Sequence, residues 1–157
     1  MASITATQHI RSKFLFQFWD HDPDTASAIV VTPDGGTTDR YVDMRDYEHF
    51  ACAAVATIFG GASGITKLEI IAASDTAGTD LAVIKDSGTV DADAIGDWLM
   101  EECSAEEVAQ LASDNGTNLR YVAGRVTCSN SGDEAAIMYF GIPKRAYLNH
   151  TPATTIA

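Results

Sequence analysis

The segment from Asn118 to Arg145 constrains the fold more than any other part of the chain. It contains two runs rich in strand-forming residues, Leu119–Cys128 and Glu134–Ile142, which are separated by the cluster Ser129–Asp133. Strand formers that flank a short cluster of Ser, Asn, Gly and Asp are typical of an antiparallel β-hairpin. No pattern for catalysis lies on this segment, so it predicts a β scaffold and leaves the function open.

The remainder of the chain repeats the pattern of short strand-like runs and turns. Further strands are predicted at Ala28–Thr32, Tyr41–Phe59, Lys67–Ala73, Asp80–Lys85 and Ala94–Cys103. One short helix is predicted near residues 104–112, because Ser104 and Glu107 have the spacing of a capping box and Asn115-Gly116 is a typical helix end. Together these elements predict a mainly β protein, either an antiparallel β-sandwich or a barrel-like fold.

The length of 157 residues favours one domain, since domains commonly contain ~100–150 residues. We place that domain at residues 13–148. The polar segment Met1–Ser12 is predicted to be a flexible, extended N-terminal arm, and residues 149–157 a C-terminal tail.

The charge balance limits the kinds of partner. Ten basic residues against 22 acidic residues give a formal net charge of −12, which opposes direct binding to nucleic acid because phosphates would be repelled. No apolar run approaches the ~20 residues of a membrane-spanning helix, and no signal peptide precedes the first strand. We therefore expect synthesis in the cytoplasm, with neither membrane nor nucleic acid as a partner.

The cysteines and histidines lack the spacing of metal or catalytic sites. Cys52, Cys103 and Cys128 form no CxxC pair, and each lies in a strand-like run where a free cysteine packs as a small hydrophobic residue. His49 and Cys52 are three residues apart, so on a strand they face opposite sides and do not form a nucleophile pair. We expect no cofactor and no catalytic cysteine.

A possible cation site begins at Asp20. Asp20, Asp22 and Asp24 match the start of a calcium loop, but Thr25 and Val31 stand where an EF-hand requires Gly and Glu. A weak cation site and a solvated acidic turn both remain open at this position, and no metal is predicted.

The triplet Asp86-Ser87-Gly88 offers the sharpest enzymatic alternative. It follows an apolar strand, as the catalytic triplet of aspartic proteases does, but two such carboxylates must share one proton, so a homodimer would be required. Lys85 directly precedes Asp86, and a cation beside this carboxylate would keep it ionised. This position therefore argues against catalysis, and no catalytic residue is predicted.

Two groups of residues are candidates for contact with a partner. The first is the aromatic cluster of residues 14–19. Its side chains either pack in the core of their own subunit or act as anchors that become buried on assembly. The second is a set of cations near the end of the chain, which form either a docking patch or ordinary solvated charges. The candidate residues are Phe14, Phe16, Phe18, Trp19, Arg120, Arg125, Lys144 and Arg145.

Three segments carry a resemblance to a known class of protein. Tyr41–Tyr47 (YVDMRDY), Lys67–Ala73 (KLEIIAA) with the following Ala77–Asp80, and Leu119–Ala123 (LRYVA) resemble segments of small virion structural proteins of tailed bacteriophages. The resemblance implies a capsid cement (decoration) protein: a β-sandwich whose terminal arms reach its neighbours and which has no catalytic residues. It further implies a location in the virion, the major capsid protein as partner, and a homo-oligomeric state.

The sequence thus leads to one main hypothesis and several alternatives. The main hypothesis is a non-enzymatic capsid cement protein that stabilises the shell through subunit contacts. The alternatives are another head-tail or tail component, a dimeric aspartic-type hydrolase that uses Asp86, and a ligand- or sugar-binding β-sandwich.

Overall fold

A computed structural model describes residues 15–21, 29–30, 41–58, 64–90, 92–129 and 132–144. These ranges contain nine strands and one helix, α1. Their bounds are β1 Leu15–His21, β2 Ile29–Val30, β3 Val42–Asp43, β4 Tyr47–Ile58, β5 Ile65–Ala73, β6 Ala82–Asp86, β7 Trp98–Ser104, α1 Ala105–Asn115, β8 Tyr121–Cys128 and β9 Glu134–Pro143. The predicted N-terminal arm and C-terminal tail lie outside the described residues.

The strands form two antiparallel sheets. Sheet A has four strands in the order β1-β9-β4-β7. Sheet B has the order β2-β8-β5-β6, with the short strand β3 also paired to β8. The prediction of a mainly β, sandwich-like fold is confirmed, and within the described ranges the sheets do not close into a barrel.

The core lies between the two sheets and follows the alternation of the strands. Phe50 and Tyr139, on neighbouring strands of sheet A, meet edge to face with ring centroids 4.8 Å apart. The Tyr139 hydroxyl crosses to sheet B and accepts a hydrogen bond of 2.6 Å from the backbone N–H of Gly124. Because Gly124 has no side chain, the phenol can reach the backbone of β8 directly. Sequence alternation places the aromatic residues inside, but it does not predict this link between sheets.

The predicted helix is confirmed, including both of its ends. Ser104 is the N-cap: its hydroxyl accepts from the backbone N–H of Glu107, and the Glu107 carboxylate accepts from the backbone N–H of Ser104. Gly116 ends the helix in the left-handed conformation, with φ of 63°. A residue without Cβ suits this position, since side chains disfavour positive φ.

The predicted β8–β9 hairpin is wrong. β8 pairs with β2, β3 and β5 in sheet B, whereas β9 pairs with β1 and β4 in sheet A. Each run has one buried face, and the two runs cover the core from opposite sides because they belong to different sheets. The link between them therefore crosses from sheet to sheet. Within this link, the buried Asp133 accepts hydrogen bonds from the backbone N–H and hydroxyl of Ser129.

The long strand predicted at Tyr41–Phe59 is divided in two. β3 and β4 are separated by a turn at residues 44–46, and they belong to different sheets. The Asp43 carboxylate accepts from the backbone N–H of Arg45 at 3.0 Å and stabilises this turn. Asp side chains favour such turns, and Met44-Arg45-Asp46 carried no Gly or Pro to signal one in the sequence.

Candidate interaction surface

Strand β7 forms an edge of sheet A within the described part of the chain. It pairs with β4 along Trp98–Ser104 on one side and is the last strand of the sheet order. Trp98 is 62% exposed and Met100 is 48% exposed. An edge strand presents backbone donors and acceptors that can pair with another chain, and large apolar side chains on it favour such contact.

The exposed apolar side chains of β7 continue into neighbouring strands. Met100 pairs with Ala53 of β4, which in turn pairs with Met138 of β9. Trp98 pairs with Val55, on the same β4 strand. Directly paired residues of antiparallel strands present their side chains on the same face. The outer face of sheet A therefore carries one apolar row in which the small Ala53 lies between Met100 and Met138.

The charge around β7 is strongly acidic. Between Lys85 and Arg120 the sequence contains nine Asp or Glu residues and no Lys, Arg or His. Glu101 and Glu102 lie on β7 itself. Together with Asp97 directly before the strand, these carboxylates give β7 a local negative charge, which attracts a basic segment and repels an acidic one.

A cleft opens beside the start of β7. Its volume is about 270 Å³, and it is lined by Val90, Ala92, Asp97, Trp98 and Leu99. Ala92 bridges to Ile65 at the start of β5 in sheet B, and Trp98 begins β7 in sheet A, so the cleft lies where the two sheets approach each other.

Two of the predicted docking cations, Arg125 and Arg120, form ion pairs within the chain. The Arg125 guanidinium contacts the Glu69 carboxylate through two hydrogen bonds of 2.6 and 2.9 Å. Lys67 lies 3.3 Å from Glu69 and 2.7 Å from Asp86, which continues a row of alternating charges across β8, β5 and β6. Glu69 is buried, and the hydrogen bonds from Arg125 lower its pKa. Arg120 likewise contacts Asp43 at 3.4 Å.

The other two cations of the predicted patch are Lys144 and Arg145. The Lys144 ammonium donates to the backbone carbonyl of Met44 at 2.8 Å and joins the end of β9 to the β3–β4 turn. Arg145 lies outside the described residues. Arg120 and Arg125 each have an acidic partner within the chain, so less of their charge is free for a partner. A docking role for the four cations remains a prediction.

The predicted aromatic anchors lie on or next to β1. In the backbone register, Phe16 pairs with Phe140 and Phe18 with Met138, while Trp19 pairs with Ile137. Phe14 lies outside the described residues, as do the side chains of β1. The register places this strand on the edge of sheet A opposite β7. Whether its aromatic residues contact a partner remains a prediction.

The Asp86 triplet forms a turn held by an ion pair. Asp86 accepts from the backbone N–H of Gly88 at 2.8 Å, and the hydrogen bond from Lys67 lowers its pKa. The cation that holds Asp86 ionised is therefore Lys67; the expectation that Lys85 would do so is wrong. Lys85 lies on the opposite side of its strand from Asp86 and binds Glu107 of α1 at 2.5 Å.

The cysteines are placed as predicted. Cys52, Cys103 and Cys128 are free and buried, and burial raises the pKa of each thiol. His49 is exposed, whereas Cys52 is fully buried on the same strand, so they face opposite sides.

The possible cation site is only partly described. Asp20 lies in β1, and Asp22 and Asp24 lie outside the described residues. No group of three or more potential metal ligands is found among the residues that the structure describes.

Sequence patterns predicted the strand at β7 but not its significance as an interaction surface. Two features of the sequence could have indicated this surface. No cation occurs between residues 85 and 120, and the large apolar residues Trp98 and Met100 share one face of a strand. The missing information is the strand order, because only the pairing shows that β7 lies at an edge.

Among the described residues no helix is long and apolar enough to cross a membrane. Comparisons of this chain with protein-family models, with curated proteins and with solved structures find no match.

Proposed function

We propose that this chain is a non-enzymatic structural protein of a phage particle, most specifically a capsid cement protein that stabilises the shell through subunit contacts. The observation that carries the proposal is the exposed apolar edge of sheet A at Trp98 and Met100. Exposed apolar patches on a small β domain are typical of surfaces that become buried on assembly. The phage context comes from the resemblance of the three segments described above.

The two-sheet architecture supports this role. Strand pairing extends through both sheets, and the long strands β4, β5, β8 and β9 supply a rigid central frame. A rigid frame that presents exposed apolar side chains at its edge loses little conformational entropy on binding. Many copies on one particle multiply weak contacts, so each interface can be modest.

The Asp86 hydrolase is less well supported than the structural role. A protease dyad requires two carboxylates that share one proton, which raises one pKa. Asp86 has the opposite environment, because the hydrogen bond from Lys67 lowers its pKa.

The test is the composition of purified particles from the phage genome that encodes this chain. We expect mass spectrometry to find the chain in many copies per particle, next to the major capsid protein. A variant that lacks Met1–Ser12 is expected to fold normally by circular dichroism and to bind shells more weakly. Absence of the chain from purified particles would refute the virion role, and equal binding by the truncated variant would refute the role of the arm.

A further inference from the structure

We infer that the open edge of β7 binds an extended, basic segment of another protein, which adds to sheet A as a further strand. The segment carries a lysine or arginine opposite Glu102 and apolar residues opposite Met100 and Trp98. This contact goes beyond the proposed function, because it concerns the chemistry of the partner and forms with the isolated protein whether or not the chain belongs to a particle.

The backbone of β7 presents every second residue to the open edge. In an antiparallel pair, successive residues of a strand direct their N–H and C=O groups alternately toward the partner strand and away from it. The carbonyl of Asp97, directly before β7, accepts from the backbone N–H of Ala56 on β4 at 2.9 Å, so the odd-numbered residues of β7 face β4. The N–H and C=O groups of Trp98, Met100 and Glu102 therefore face away from the sheet.

The other end of β7 fixes the same alternation independently. Ser104, the next even-numbered residue, donates its backbone N–H to the Glu107 carboxylate at 2.8 Å, so the capping box of α1 occupies the last outward position. Within the described ranges, β4 is the only strand that pairs with β7. The three outward positions that precede Ser104 are thus open to an added strand.

The side chains of the same three residues define what a partner strand presents. Trp98, Met100 and Glu102 alternate along β7, and all three side chains are exposed. Residues directly opposite each other on paired antiparallel strands lie on the same face and contact each other. Apolar residues of the added strand therefore cover Trp98 and Met100, and a cation opposite Glu102 completes the row.

Glu102 selects the charge of the partner. It makes no ion pair with any cation of the described residues. The neighbouring Glu101 lies on the opposite face, half-buried, where its charge acts on Lys85 of β6. β7 itself carries no Lys or Arg, so a second β7 strand supplies no cation opposite Glu102. A basic segment of a different protein is the complementary occupant.

The test is an NMR titration of the ¹⁵N-labelled full-length protein with synthetic peptides. The first peptide, Thr-Lys-Thr-Val-Thr-Val-Thr, places its lysine opposite Glu102 and its valines opposite Met100 and Trp98 when it runs antiparallel to β7. We expect binding to shift the amide signals of these three residues and to slow their hydrogen exchange. The same peptide with glutamate in place of lysine is expected to bind about tenfold more weakly. Absence of any shift at the three amides would overturn the inference.

Two N-methylated forms of the lysine peptide separate strand addition from contact through side chains alone. Methylation of the first valine removes the N–H that donates to the Met100 carbonyl, so we expect binding to be about tenfold weaker. Methylation of the threonine between the valines alters an N–H that points away from β7, so binding should be unchanged. Equal binding by the two forms would show that no strand is added and would overturn the inference.

Variants of the protein test the charge and the backbone of the edge separately. Glu102→Lys is expected to reverse the preference between the two charged peptides, whereas Asp114→Lys, the same charge change at an exposed position of α1, should leave the preference unchanged. An unchanged preference in Glu102→Lys would overturn the inference. Met100→Pro removes an N–H that faces the open edge, where proline is tolerated, so this variant should fold and bind about tenfold more weakly than Met100→Ala. If Met100→Pro does not fold, the methylated peptides decide, since they leave the protein unaltered.

Two other occupants of the edge would be recognised in the same spectra. Slow hydrogen exchange of the three amides in dilute protein without peptide would show that the chain covers its own edge. A shift of these signals with protein concentration alone would identify a second copy as the occupant. Either result would overturn the inference. None of these measurements involves a particle, so failure of this contact and failure of the proposed function are distinguishable.

Discussion

The row of charges on sheet B makes Glu69→Gln an informative substitution. Glu69 is the buried member of the row, with a side chain 5% exposed, and it holds Arg125, which is 22% exposed. Removal of one partner from a buried ion pair costs about 3–5 kcal/mol, because the other charge stays desolvated. Arg125 has some access to water and Gln can still accept one hydrogen bond, so we expect a loss of about 2–3 kcal/mol. For a chain of this length that corresponds to a fall in Tm of roughly 5–10 °C.

The matched control for Glu69→Gln is Asp86→Asn. Both carboxylates bind Lys67, but the Asp86 side chain is 41% exposed. Water screens this second contact, so Asp86→Asn is expected to cause only a small fraction of the loss. The assay is urea unfolding followed by circular dichroism. An Asp86→Asn effect as large as that of Glu69→Gln would refute the argument that burial decides the worth of these contacts.

The same ion pair predicts a pH dependence. Its hydrogen bonds from Arg125 lower the pKa of folded Glu69 below its unfolded value of about 4.3. The stabilisation is therefore fully present above the unfolded pKa and is lost as the pH falls through the lower, folded pKa. Between neutral pH and acid, the difference in unfolding free energy between the wild type and Glu69→Gln should shrink. A difference that stays constant down to acid denaturation would contradict the assigned direction.

Two further predictions concern the core. Tyr139→Phe is expected to lower the free energy of unfolding by about 1–3 kcal/mol, because the buried N–H of Gly124 loses its acceptor. A loss near zero in urea titrations would show that this hydrogen bond between the sheets contributes nothing to stability. The buried thiols of Cys52, Cys103 and Cys128 should react with Ellman's reagent at about pH 8 only when the protein unfolds. Burial raises the pKa of Cys103 to about 12 and that of Cys128 to about 11, so little thiolate is present in the native protein. Rapid reaction of the native protein would contradict this burial.

The local elements of this fold could be predicted from the sequence. The capping box at Ser104 and the glycine at position 116 gave the helix its ends, because these signals act within one turn of chain. The strands could likewise be predicted from runs of strand-forming residues such as Lys67–Ala73. In the structure this strand is longer and begins at Ile65. Both kinds of signal depend on residues that are close together in the sequence, so one sequence is enough to recognise them.

The pairing of strands could not be predicted in the same way. The β8 and β9 runs have the composition of a hairpin, yet each pairs antiparallel with a strand elsewhere in the chain: β8 pairs with β5, and β9 with β4. The choice depends on which pair of faces closes the core, and that is a property of all the strands together. The same reason explains the cations. Arg125 lies opposite Glu69 only because β8 and β5 are neighbours, and no local pattern around either residue signals this contact.

The strand order also gives the charges on β7 a second role. An exposed edge strand is prone to pair with its own copies, and charged side chains on an edge oppose that pairing. Two β7 strands side by side would bring Glu101 and Glu102 of one copy close to those of the other, so the edge resists symmetrical self-pairing. A basic segment meets no such repulsion. The carboxylates that protect the edge from its own copy therefore favour a basic strand over an acidic one, and specificity arises from repulsion of the wrong strand as much as from attraction of the right one.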